Sequence, residues 1–171
     1  MLTLIAAVVA PAAAQELCVG YQVQHFSSDG SADTIPLGFS GSVAGPVSGP
    51  VSLVGEVDWS RKGASETRPS YAANFVAWGG GARWSGRSNP SVTPFVEGLV
   101  RAMRISTTLH SGGLTFDGGS ETHVMLQLGG GVSFPAGRAI GAFGQFDYRR
   151  VFADIPANGL RFVVGVRLTI G

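Results

Sequence analysis

A chain of 171 residues has room for one domain with a sizeable core. Only 13% of it is charged and its mean hydropathy is +0.25, whereas a soluble domain is typically about one quarter charged. With Lys62 as its single lysine and a formal net charge of +1, it offers no basic footprint for nucleic acid.

The first element in chain order is an apolar run from Leu2 that leads to Ala12-Ala13-Ala14, an A-x-A pattern with a cut expected before Gln15. Residues 1–14 are therefore predicted to be a cleaved signal peptide, leaving 15–171 as one domain. The run is too short for a spanning helix, which needs about 20 apolar residues. No Lys or Arg precedes it, a departure from the usual leader. Cys18 is the only cysteine, so no disulfide can form within the chain, and Leu17 before it argues against a lipid-acceptor site. It reads as a small strand residue.

Beyond Ala14 helical periodicity is absent and alternation with period two recurs, in about eight segments of roughly the 9–11 residues a tilted membrane strand needs. The first sets Leu17, Val19, Tyr21 and Val23 against Cys18, Gly20, Gln22 and Gln24. The second sets Leu37, Phe39 and Val43 against Gly38, Ser40, Ser42 and Ala44, and the third Val51, Leu53, Val57 and Trp59 against Ser52, Glu56, Asp58 and Ser60. In the fourth, Val76, Trp78 and Trp84 oppose Ala77, Gly79, Gly81 and Arg83, a register that a bulge would change. The fifth sets Val96, Val100 and Ala102 against Thr93, Glu97 and Arg101, with Phe95 and Leu99 as apolar intruders on the second face. The sixth sets Val124, Leu126, Leu128 and Val132 against Met125, Gln127, Gly129, Gly131 and Ser133. Ile140, Ala142, Phe146 and Tyr148 oppose Gly141, Phe143, Gln145, Asp147 and Arg149 in the seventh. In the eighth, Phe162, Val164, Val166, Leu168 and Ile170 oppose Arg161, Val163, Gly165, Arg167 and Thr169.

The links alternate. Short ones, at 45–50, 85–91 and 134–138, are rich in Gly, Pro, Asn and Ser; longer polar ones occupy 25–34, 61–70, 104–121 and 151–159. An up-and-down sheet puts every second link at the same end, so one rim is expected to carry turns and the other loops.

A soluble lipocalin-like barrel and a membrane barrel both alternate, in opposite senses. The polar faces here hold Gly, Ala, Ser and Gln with a few charges of both signs, which suits a cramped interior better than a water-facing surface. Glu56, Asp58, Glu97 and Asp147 would there pair with Arg83, Arg101, Arg149, Arg161 and Arg167, because unpaired charges inside are very costly. Trp59, Tyr148 and Phe162 fall on apolar faces towards the long links, and Trp84 and Phe134 towards the short turns, as two aromatic girdles would. A bilayer offers the backbone no hydrogen-bond partner, so the last strand must close onto the first.

With a leader, "GARW" (81–84), "TPFVEGLV" (93–100), "LQLGGGVSF" (126–134), "GQFDYRR" (144–150) and the alternating final strand, the chain from Leu17 to Ile170 resembles the small bacterial outer-membrane β-barrel domains, including OmpA-, OmpX- and opacity-protein-like porins. The resemblance implies a monomeric eight-stranded antiparallel barrel in the outer membrane of a Gram-negative bacterium, termini in the periplasm and long loops outside. It also implies lipopolysaccharide and membrane lipid as surroundings, and the barrel-assembly machinery as a partner during biogenesis. Members usually finish on a terminal aromatic, whereas this sequence ends Ile170-Gly171, a departure that bears on assembly more than on fold.

"WGGGAR" and "LGGGVS" do not make phosphate loops, since neither has the required glycine and lysine spacing between strand and helix. Close packing is the better reading of these glycines. His25, His110 and His123 lack metal-ligand spacing, so no metal or other cofactor is expected. The alternative to weigh is a lipid-A-modifying barrel: His25-Phe26-Ser27 has the H-x-S spacing of such deacylases, with Asp29 or Glu121 as candidate acid. It sits on the first strand, however, and in that family the motif lies later. The expectation is a non-enzymatic barrel with a structural, interaction or minor porin-like role, its lumen plugged by charged side chains. The links 104–121 and 151–159 are the candidate contact surfaces.

Overall fold

The computed structural model describes residues 15–28, 31–64, 70–86, 91–111 and 114–170. The expected leader, residues 1–14, lies outside them. Eight strands follow in chain order: β1 (Gln15–Ser28), β2 (Ser31–Ser48), β3 (Val51–Ala64), β4 (Ser70–Ser85), β5 (Thr93–Ser111), β6 (Leu114–Pro135), β7 (Ile140–Phe152) and β8 (Ala157–Ile170). Each pairs antiparallel with its neighbours in sequence, and β8 pairs with β1, so the sheet closes into a barrel in the order β1 to β8. Closure leaves no row of unpaired backbone groups along an edge.

One circuit of cross-strand partners fixes the stagger. From Arg104 it runs through Val76, Trp59, Phe39, Tyr21, Val164, Gly144 and Val132 and returns to β5 at Pro94, ten residues from its start. Such a shear tilts the strands by roughly 35–45° and sets an interior that side chains can just fill.

Alternation along the strands then sorts the side chains. On β8, Val164, Val166 and Leu168 face outward while Arg161 and Val163 are buried. β4 keeps the expected register, with Ala77 and Arg83 inside and Trp78 and Trp84 outside. The packing is thus the reverse of a water-soluble barrel. Leu53, Val100 and Leu128 are each about 60% or more exposed, whereas soluble proteins rarely show contiguous apolar surface beyond a few hundred Å². No helix among the described residues is long and apolar enough to cross a membrane, a statement that leaves strands untouched.

Two features differ from the sequence reading. The strands run to 13–22 residues, longer than the roughly 9–11 needed to cross a bilayer, and the segments read as long links are largely strand. Pairing of β5 with β6 continues from Ala102–Val124 to Ser111–Leu114, and β1 with β2 to Ser28–Ser31. Beyond the apolar belt both faces of a hairpin can be polar, so the alternation that reveals a half-buried strand disappears although the ladder continues. Register shifts at Gln22/Gln24 and Ser106/Thr108 add to this, because each breaks the two-residue period.

The glycine runs are explained by approach distance. A Cβ on Gly81 would collide with the carbonyl of Gly98 on β5, and one on Gly129 with the Asp147 carboxylate on β7. The missing side chain at Gly129 is what lets Asp147 lie flat against the wall and reach its arginine.

Candidate functional site

Within the barrel, inward positions of all eight strands converge on one layer of polar side chains. The arginines are the largest residues there, and they are among the least accessible in the protein: Arg149 and Arg161 are each 1% exposed. Arg161 on β8 directs Nε to Asp147 on β7 at 2.6 Å and Nη1 to Glu56 on β3 at 2.8 Å. Arg149 on β7 reaches across to Asp58 at 2.7 Å, and Arg101 on β5 bridges Glu56 and Asp58 at 2.7 and 2.6 Å. Nearer the short-turn end, Arg83 on β4 grips Glu97 on β5 through Nε and Nη2 at 2.9 and 2.8 Å, and its guanidinium lies 4.5 Å over the Phe95 ring. Among the described residues four buried carboxylates face four buried arginines, so the layer carries no net charge. That balance is what makes it tolerable in a site with little water.

Four glutamines complete the layer, three of them accepting and donating at once. Gln127 Oε1 accepts from Arg101 at 2.8 Å and from Arg149 at 3.0 Å; Gln145 Nε2 donates to Glu97 at 2.7 Å and to Asp147 at 2.8 Å. Gln24 Oε1 accepts from Arg149 at 2.6 Å, Gln22 Oε1 from Arg161 at 3.2 Å, and the amides of both glutamines donate to Ser60. Uncharged side chains with both a donor and an acceptor can satisfy spare guanidinium protons and carboxylate lone pairs without upsetting the charge count.

Of the nine residues expected in a lumen network, eight lie in this layer, and Arg167 lies apart from it. Arg167 sits at the short-turn end, where Nη1 donates to Glu16 at 3.1 Å; Glu16 also stands 3.5 Å from Arg83. Glu16 was not among the expected residues, although it shares its face with Cys18, Gly20 and Gln22, so extending the first alternation by one step finds it. Glu16, Arg83 and Arg167 line a cavity of about 10 Å³ together with Cys18, Phe95 and Phe143.

On the outside, Trp59, Trp84, Phe134, Tyr148 and Phe162 are all exposed, by 36% to 52%. Tyr21 and Phe39 join Trp59 in one cluster, with an edge-on contact at 6.0 Å and a stacked one at 6.4 Å. At the long-hairpin end polar side chains join the apolar ones on outward positions, among them Arg61 beyond Trp59, Arg104 beyond Ala102, and Arg150 between Tyr148 and Phe152.

The H-x-S pair faces outward at the same end. A ring nitrogen of His25 lies 2.9 Å from the Thr34 hydroxyl. Asp29 lies outside the described residues, and Glu121 is on β6, where its carboxylate is 3.3 Å from His123. β7 and β8 separate it from His25.

No protein-family model matches the chain, and no curated protein does either. Solved structures do. The neisserial surface protein A superposes with a TM-score of 0.72 at 14% identity, covering 91% of this chain and 97% of the other. The fold is that of the small bacterial outer-membrane β-barrels. Ail, the attachment invasion locus protein of Yersinia pestis, in complex with the heparin analogue sucrose octasulfate, gives 0.65 at 18% identity over 91% and 98% of the two chains. The N-terminal β-barrel domain of OprF from Pseudomonas aeruginosa gives 0.53 at 11% over 91% and 97%. At such identities the likeness speaks of architecture. The eight-stranded closed antiparallel barrel expected from the sequence is the one observed.

Proposed function

We propose that this protein is a non-enzymatic barrel of the Gram-negative outer membrane with a structural or interaction role, its lumen closed by the buried layer of arginines, carboxylates and glutamines. The observation that carries the reading is the inverted packing: apolar side chains ring the outside, while Asp147, Arg149 and Arg161 are sealed within. In water that arrangement would sacrifice about 25 cal/mol per Å² of apolar surface left exposed; in a bilayer the same surface is solvated. Supporting the closed lumen, the charged layer spans the barrel from β3 to β7 and β8, and every carboxylate in it meets at least one guanidinium. Supporting a non-catalytic role, His25 is engaged by Thr34 and the candidate acid Glu121 is engaged by His123 on another strand. Fractionation tests the reading. The protein is expected in the outer-membrane fraction, migrating differently in detergent gels with and without heating; recovery from the periplasm without detergent would refute it.

The long-hairpin rim adds a partner of stated chemistry. Arg61, Arg104 and Arg150 occupy outward positions on the long-hairpin side of the apolar belt, the side where the phosphates of lipopolysaccharide would lie with this end facing outside. Arg150 is braced by a 2.6 Å bond to Asn158, which Tyr148 also contacts. Guanidinium groups suit phosphate by geometry as well as charge. Replacing all three by serine is expected to weaken association with lipopolysaccharide-containing vesicles while leaving insertion into plain phospholipid unchanged. Equal binding to both by the variant and the parent would remove lipopolysaccharide as the partner.

A further inference from the structure

Above the charged layer, towards the long hairpins, the interior changes character. Ala77, Met103, Met125 and Val151 form a buried apolar cluster, with Phe26, Ile105, Ala153 and Ala157 packed against it. Over this floor lies a cavity of about 200 Å³, walled largely by apolar side chains such as Ile35, Phe75 and Ile105, with Asp33 and His123 among its polar edges. Asp33 is paired with Lys62, and His123 stands 3.3 Å from Glu121. Its lining comes from β1, β2, β4 to β8 and the link 153–156, at the long-hairpin end of the barrel.

This is an odd finish for a lumen that meets water. Polar side chains there would cost nothing, and the layer beneath is dominated by charged and amide side chains, yet the terminal layer is largely aliphatic, aromatic and thioether. Apolar cavities of about 150 Å³ stay dry and admit benzene. This one is a third larger and is lined by Met103, with Met125 in the cluster beneath; it suits a flexible chain, because a thioether can adapt to it.

We infer that this cup is a binding site for a single medium-length alkyl chain, about eight carbons, carried by an amphiphile that enters from the aqueous side at the long-hairpin end. The head group stays at the rim near Asp33, Lys62 and His123, and the chain points down to Met103, beneath which Met125 is packed. The site goes beyond the structural role proposed above.

The experiment uses the barrel in phospholipid nanodiscs with ¹³C-methyl methionine, since Met103 and Met125 are the only methionines after residue 14. Titration with octanoate is expected to shift both methyl signals saturably. Ala153→Trp, which fills the mouth, should abolish the shifts while leaving the heat-dependent migration of the barrel intact, and Ile105→Trp offers a second blocked wall should the first fail to assemble. Shifts that grow linearly without saturation, or that survive in both blocked variants, would mean partition into the bilayer and overturn the site. Unmoved methyl signals would also overturn it, showing a cup that stays empty or is filled by the chain's own residues. Failure of the protein to enter nanodiscs counts instead against the membrane reading, so the two ideas fail separately.

Discussion

Replacing Arg161 by methionine is expected to cost about 3–5 kcal/mol of barrel stability, the range for breaking a buried ion pair by removing one partner. The substitution keeps most of the side-chain volume, so the loss reports charge more than packing. Arg161 serves Asp147 through Nε, Glu56 through Nη1 and Nη2, and Gln22 through Nη1. Without it the buried layer changes from balanced to one excess negative charge, and among the described residues Asp147 keeps the Gln145 amide as its bonded partner. Urea unfolding in lipid vesicles, followed by tryptophan fluorescence, measures the effect. Pairing Arg161→Met with Asp147→Asn should recover part of the loss, because contacting groups in one network are not additive. A single variant within 0.5 kcal/mol of the parent, roughly the tolerance of an ordinary surface site, would show that the layer is open to water and that the closed-lumen reading is wrong.

Val166→Arg, on the same strand but the opposite face, is expected to cost roughly 2–4 kcal/mol at the bilayer midplane. Val166 is 51% exposed and central in the outward apolar run from Leu160 to Ile170, with Val19 on β1 and Ala142 on β7 as its cross-strand partners. The contrast with water gives this substitution its force. On a soluble protein an arginine at a half-exposed site would change stability by only about 0.5 kcal/mol either way, so a large loss can come only from hydrocarbon around the barrel. A neutral result in vesicles would place Val166 against solvent and take away the membrane reading.

The alternation of eight segments was enough to place Arg161 and Arg167 inward and Val164 and Leu168 outward, because the strand period is two and holds wherever one face is buried. The same rule assigned β4 its register and explained Phe95 and Leu99, which face inward as apolar neighbours of the charged groups. It failed where both faces turn polar: the hairpin arms of β5 and β6 beyond Ala102 and Val124 read as a loop in sequence and are paired strand in space. Polar character at the hairpin ends is visible from composition, while backbone pairing is not.

The partners within the barrel could not be read from spacing at all. Arg149 meets Gln24, 125 positions away, and Arg161 meets Glu56, 105 positions away. Which carboxylate faces which guanidinium follows from the ten-residue stagger of the closed sheet, a property that no single strand carries. By itself the sequence determined the number of strands, their inner and outer faces, and the presence of nearly balanced charge inside, since each of these depends only on the local period of side chains. The tertiary structure alone decided the pairing of those charges, the part played by Glu16 and the four glutamines, and the apolar cup above them, because closure sets the heights at which different strands bring their inward residues together.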